Sequence, residues 1–247
     1  MLAEHKQTEF STFASGRLVH EWGQRFRLDI ADLQILPRTS YAILGANGSG
    51  KSTLLRLLAA RMLKNDQFSE PGAIGYLPQT PYSFRLTVEE NVRLGIAPEL
   101  GLSTNEQNEI IISCLDSLGL LHLRSEPGHK LSGGEAQRMA LARLMTVKRR
   151  VLLLDEPTGA LDLQGLSLAE RAISDYLKTS DCTLMLVTHQ LSLAERLCEQ
   201  LIFLNNGKLE AAGPLMETLR SKPTASLSQY LHFEKSVCLS ESTEGMA

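Results

Sequence analysis

A chain of 247 residues, 43% hydrophobic and 21% charged, has room for one large domain or two small ones and buries a core without staples. Its net charge of −3 carries no basic excess of the kind that binds nucleic acid. No window approaches the roughly 18–20 apolar residues of a membrane helix, and residues 1–15 lack the basic start and apolar run of a signal peptide. A membrane role would therefore run from the surface or through a partner. Cys114, Cys182, Cys198 and Cys238 form neither a CxxC pair nor a zinc spacing, which fits a reducing cytosol with the thiols as small apolar fillers.

In chain order, Arg17–Leu36 carries short alternating runs such as Arg25–Ile30, which read as β-strands with one polar and one apolar face. Tyr41–Leu44 is a buried-type strand that runs straight into glycines. Ser52–Leu63 has apolar residues at 54, 55, 57, 58 and 62, a helical period. Ile74–Leu77 is a short strand ending at Pro78. From about Thr87 to Leu123 the pattern is helical, with Ile110, Ile111, Cys114, Leu115 and Leu118 on one face of Asn105–Leu118. Lys148-Arg149-Arg150 reads as a solvated turn before Val151–Leu154, a fully apolar strand of the sort found inside a parallel sheet. A helix follows over Leu166–Lys178, then a second apolar strand, Leu184–Val187. Leu201–Leu204 and Lys208–Glu210 flank Asn205-Asn206-Gly207, a hairpin signal. Strands alternating with helices predict an α/β fold with a mainly parallel sheet. The helical stretch of about 85–145 reads as a subdomain inserted between core strands. The tail after about Pro223 is polar and weakly patterned, and is expected to be partly disordered.

Three segments carry chemistry. Gly45-Ala46-Asn47-Gly48-Ser49-Gly50-Lys51-Ser52, followed by Thr53, fits the phosphate-loop pattern G-x-x-x-x-G-K-[ST]. Its glycines let backbone N–H groups turn towards phosphate oxygens, and the next helix presents its positive end to the same anion. In that pattern Lys51 reaches the β- and γ-phosphates and Ser52 ligates Mg²⁺. Asp155-Glu156 ends the apolar strand from Val151, where α/β sheets bind ligands. Asp155 is placed to hold Mg²⁺ and Glu156 to polarise an attacking water as general base; alone, the pair could equally cap the next helix. Ser132-Gly133-Gly134 before the helical run Ala136–Thr146 makes a helix N-terminus with exposed amides, or an ordinary helix start.

Gly45–Thr53, Gln79, Leu131–Glu135, Asp155–Glu156, Asp162 and His189, in this order and spacing, resemble the ATP-binding subunits of ABC transporters over about residues 15–215. The resemblance implies a single ATP-binding domain: a P-loop NTPase core with a mainly parallel sheet, an N-terminal antiparallel β-subdomain and the inserted helical subdomain. It implies ATP and Mg²⁺ as ligands. Gln79 matches the glutamine that senses Mg²⁺ and the attacking water. Ser132, Gly133, Gly134 and Glu135 match the signature that contacts a γ-phosphate held by the opposite subunit. Asp162 matches the loop crossing that interface, and His189 the histidine on the γ-phosphate. Trp22, 29 residues before Lys51, resembles the aromatic that stacks on adenine, or packs in the core.

The implied partners are a second ATP-binding subunit, in a homodimer or heterodimer, a transmembrane permease reached through the groove near Gln79–Leu86 including Phe84, and in some systems a substrate-binding protein. The implied place is the cytoplasmic face of the membrane. Glu135 stands where Gln is commoner, and Glu126–Lys130 lacks the charged crossing motif of many fused exporters, which leans towards an importer. A soluble ABC-type ATPase of iron–sulfur assembly is the alternative reading.

Overall fold

The computed structural model describes residues 16–22, 26–221 and 224–244; the side chains of residue 22 and of residues 235–244 lie outside the description. Two strands, β1 (Leu18–Trp22) and β2 (Phe26–Ile30), pair antiparallel with Leu18 opposite Ile30. β3 (Ser40–Leu44) leads into helix α1 (Lys51–Met62), and β4 (Ile74–Leu77) follows. Three helices come next: α2 (Val88–Arg93), α3 (Thr104–Ser117) and α4 (Gly133–Met145). β5 (Val151–Asp155), α5 (Leu163–Thr179), β6 (Thr183–Val187), α6 (Leu191–Leu197) and β7 (Gln200–Asn205) restore the alternation. β8 (Lys208–Pro214), α7 (Leu215–Arg220) and α8 (Ala225–Glu244) close the chain.

The main sheet has the order β4-β5-β6-β3-β7-β8, parallel throughout except for the last pair. This is the α/β architecture expected from the alternating pattern. Alternate side chains of β3 feed opposite faces: Ala42 and Leu44 join a core with α2–α6, while Tyr41 and Ile43 join one with α1 and β2. Both faces are covered, so the central strands are apolar between their ends: Tyr41–Leu44, Val151–Leu154 and Leu184–Val187. The β7–β8 hairpin turns on Asn206 and Gly207, both at positive φ (47° and 76°), as a two-residue primed turn demands. A Cβ on Gly207 would lie 2.0 Å from Arg27 O, so this turn also admits β2, whose Asp29 N–H donates to Gly207 O at 2.8 Å.

The starts of α2, α3 and α4 share one device. Thr87 with Glu90, Ser103 with Glu106, and Ser132 with Glu135 each form a capping box: the hydroxyl accepts from the backbone N–H three residues on, and the glutamate accepts from the cap residue's own N–H. Cys182 and Cys198 are buried thiols and Cys114 is half-buried, with burial pushing the Cys114 thiol up to about 11; the side chain of Cys238 lies outside the described residues.

Two expectations are corrected. Arg149 is not a solvated turn residue: it is 8% exposed, and its guanidinium donates to Leu144 O, Gly72 O and Gly95 O at 2.6, 3.0 and 3.4 Å. One side chain thus ties the last turn of α4 to the loops at Gly72 and Gly95. Arg149→Ala strands all three and is expected to cost about 2–3 kcal/mol in denaturant unfolding; an unchanged midpoint would refute this role. The weakly patterned tail also carries a helix, α8, which buries Leu227 completely and sets the Tyr230 ring 5.6 Å from that of Phe203.

Candidate functional site

The C-terminal ends of β3, β5 and β6 deliver the chemistry to one edge. β3 breaks into the glycine loop because no other residue fits: a Cβ on Gly45 (φ 147°) would lie 2.2 Å from Leu204 O. Gly50 (φ 106°) ends the loop as the cap of α1, against Phe26 and Leu28 of β2. Lys51 is 6% exposed and its Nζ donates back to Gly45 O (2.7 Å) and Ala46 O (3.2 Å), so the ammonium closes the loop on itself. Burial lowers the Lys51 pKa, with Glu156, Asp155 and Glu234 opposing. Ser52 and Thr53 occupy the first turn of α1, beside the same cleft.

Asp155, 1% exposed at the end of β5, accepts from Ser52 Oγ at 3.0 Å through Oδ1, while its Oδ2 is buried with no protein partner. Burial raises its pKa, with the Ser52 hydrogen bond opposing. A buried carboxylate oxygen left unsatisfied beside a hydroxyl suits a hard cation that prefers oxygen ligands. Glu156 holds an uncommon positive φ of 51°, fixed by its N–H donating to Val187 O (2.9 Å) and by Gln137 Nε2 donating to its carbonyl (3.3 Å). That turn throws its carboxylate outward, where Gln79 Nε2 donates to Oε2 at 3.0 Å and His189 Nε2 stands 2.9 Å from Oε1.

A cleft of about 530 Å³ joins these groups, lined by Phe26, Asn47, Lys51, Ser52, Gln79 and Glu156 among others. The structure thus brings together the phosphate loop, Gln79, Asp155, Glu156 and His189. Ser132, Gly133, Gly134 and Glu135 are not on this cleft. Ser132 and Gly133 are exposed at the start of α4, and Asp162 caps α5 by accepting from Gly165 N–H at 2.7 Å. Gly134 and the Asp162 loop do touch: a Cβ on Gly134 would lie 3.1 Å from Ala160 O. The backbone of Trp22 ends β1 opposite Phe26, but its side chain, and with it the stacking expectation, lies outside the described residues. Phe26 is the aromatic that the described structure sets on the cleft.

The surface beside Gln79 is also built. Asn91, fully buried, donates to Phe84 O, Leu86 O and Thr87 O (3.2, 3.1 and 2.9 Å) and accepts from Phe84 N–H (2.9 Å). Arg143 donates to Tyr82 O (3.1 Å) and Asn91 Oδ1 (2.8 Å) and lies 5.1 Å over the Phe84 ring. Tyr82, Phe84 and Leu86 are left exposed. Asn91, Arg143, Gln137 and Phe26 carry no motif signal; each matters through a partner distant in sequence.

Residues 28–159 match the family model described as ABC transporter. The chain is 32% identical over 204 residues to the tungstate uptake system ATP-binding protein TupC of Peptoclostridium acidaminophilum, covering 79% of this chain and 95% of that one. It is 35% identical over 215 residues to the hemin import ATP-binding protein HmuV of Vibrio parahaemolyticus serotype O3:K6, covering 79% of this chain and 82% of the relative. A solved structure described as an ATP binding subunit of an ABC transporter superposes with a TM-score of 0.73 at 23% identity, covering 90% of this chain and 98% of the other; the fold is shared.

Proposed function

The chain belongs to the ABC transporter family, and from that membership we propose how its residues divide the work of an ATP-hydrolysing subunit that energises import through a permease. The observation that carries the reading is the cleft on which Lys51, Ser52, Gln79 and Glu156 meet, with the buried Asp155 hydrogen-bonded behind Ser52 and His189 against the Glu156 carboxylate. The loop amides of 45–50 and the N-terminus of α1 receive the phosphates, and Lys51 neutralises the β- and γ-oxygens. Ser52 and Asp155, with Gln79, would hold Mg²⁺, which would supply charge neutralisation at the phosphates. Glu156 orients and deprotonates the attacking water, and His189 contacts the γ-phosphate side. Phe26 is the aromatic wall.

Ser132–Glu135 and Asp162, away from their own cleft, serve the nucleotide of a second ATP-binding subunit. ATP then closes the pair, and loss of the γ-phosphate releases it. Among the described residues no helix is long and apolar enough to cross a membrane. Transport therefore needs a membrane-spanning partner, and the exposed Tyr82-Phe84-Leu86 surface held by Asn91 and Arg143 is where it docks, on the cytoplasmic face. The relatives' tungstate and hemin are their own; nothing on this cleft selects a cargo, and the substrate is read by the permease.

Affinity purification of the full chain from its own membranes is expected to retrieve a membrane-spanning subunit. Phe84→Asp should lose that subunit while ATP affinity stays within about twofold, since Phe84 does not line the cleft. Retrieval of cytosolic assembly proteins with no membrane subunit would overturn the transport reading.

A further inference from the structure

The loop after β6, the phosphate loop and α8 converge behind the cleft. The His189 imidazole stands between two carboxylates: Nε2 is 2.9 Å from Glu156 Oε1 and Nδ1 is 3.7 Å from Glu234 Oε1, both ion pairs when the ring carries a proton on each nitrogen. Glu234 comes from α8, and its side chain is 15% exposed. A carboxylate so withdrawn from water is costly unless donors or cations face it. Facing it are His189 and, at longer range, the Lys51 ammonium; the Tyr230 hydroxyl one helical turn earlier is buried with no hydrogen-bond partner.

α8 is seated rather than draped. Leu227 is fully buried, the Tyr230 ring packs on Phe203, and Asn205 Nδ2, at the β7–β8 turn, donates to Ser226 Oγ at 3.0 Å. A second cleft of about 610 Å³ runs between α8 and the phosphate loop, with Ala46, Asn47, His189, Tyr230 and Glu234 on its walls.

We propose that Glu234 is a positioning residue for hydrolysis: by taking the Nδ1 side of His189 it turns Nε2 towards Glu156 and the reacting end of the nucleotide. The two ring nitrogens are distinct, and the partner of one decides what the other presents. A ring turned over would point a C–H at Glu156. The terminal helix thereby contributes to a site otherwise assembled from β3, β4, β5 and β6. The inference rests on the assignment of His189 to the γ-phosphate side.

The test uses the full chain with Glu234→Gln, Glu234→Asp and, in parallel, His189→Ala. Three quantities are read: kcat and KM for ATP, binding of ATP without turnover, and the ring ¹⁵N resonances of His189 in nucleotide-free protein. Glu234→Gln is expected to lower kcat about 10-fold with KM within about twofold, and to move the His189 ring resonances; Glu234→Asp should restore part of the rate. A wild-type kcat with unmoved resonances, while His189→Ala is impaired, overturns the role of Glu234 alone. A lower KM with undiminished kcat overturns it too, because Glu234 would then be an electrostatic obstacle to nucleotide. If His189→Ala itself turns over normally, the assignment of His189 fails instead. Gln is isosteric with Glu, so α8 keeps its packing, and a melting midpoint lowered in step with kcat would assign the loss to structure.

Discussion

Glu156→Gln is expected to lower steady-state ATP hydrolysis by about 10²–10⁴-fold, the usual worth of a positioned general base, while ATP binds as tightly as before. The glutamine keeps the size of the side chain and one carbonyl oxygen that can accept from Gln79 Nε2. What it loses is the ability to take a proton. The native backbone supports the assignment, since a non-glycine residue at φ 51° is held against its own preference by the hydrogen bonds at 156 N–H and 156 C=O. Phosphate release under saturating ATP, with binding measured separately at equilibrium, separates the two properties. Full turnover in the variant would remove Glu156 from the chemistry.

Lys51→Ala is expected to do the opposite: to weaken ATP binding itself by about 10²–10³-fold, from the loss of charge-assisted hydrogen bonds of about 1.5–3 kcal/mol each. Lys51 is 6% exposed and its ammonium donates to Gly45 O and Ala46 O, which fold it over the glycine loop. Burial lowers its pKa, so the charged form is held less comfortably than in water, as is common where a group is kept for function. The fold therefore loses less than the site does. A fluorescent ATP analogue titrated against both proteins reads the difference, and an unchanged dissociation constant would show that Lys51 does not hold phosphate.

What could be read in the sequence followed from short-range causes. Tyr41–Leu44, Val151–Leu154 and Leu184–Val187 are apolar runs because both sheet faces are covered, and Asn206-Gly207 turns because such residues reach its dihedrals most readily. The phosphate loop is legible because its glycines are required by backbone approach, as the 2.2 Å clash at Gly45 makes plain. Arg149 was hidden for the converse reason. A basic triplet looks solvated until the loops around Gly72, Leu144 and Gly95 are folded over it. α8 and Glu234 were hidden because the described part of the helix fully buries little beyond Leu227 and Tyr230 and so has almost no periodic signal, and its carboxylate meets His189 only in three dimensions. Phe26 lies in a strand legible from its alternation, but no motif marks it as a residue of the cleft.

The division of the ATP site between two subunits is the claim on which the rest depends. It is tested most directly by imaging the Glu156→Gln protein, trapped with ATP and Mg²⁺ and purified from its own membranes with its partners. The account predicts phosphates on Lys51 and the 45–50 amides of one ATP-binding subunit, faced by the Ser132-Gly133-Gly134 turn of the other where that subunit is a second copy, or by the partner's own signature turn where it is not, with Phe84 against a membrane-spanning subunit. Nucleotide enclosed by one chain alone, with Ser132 turned to solvent, would contradict it.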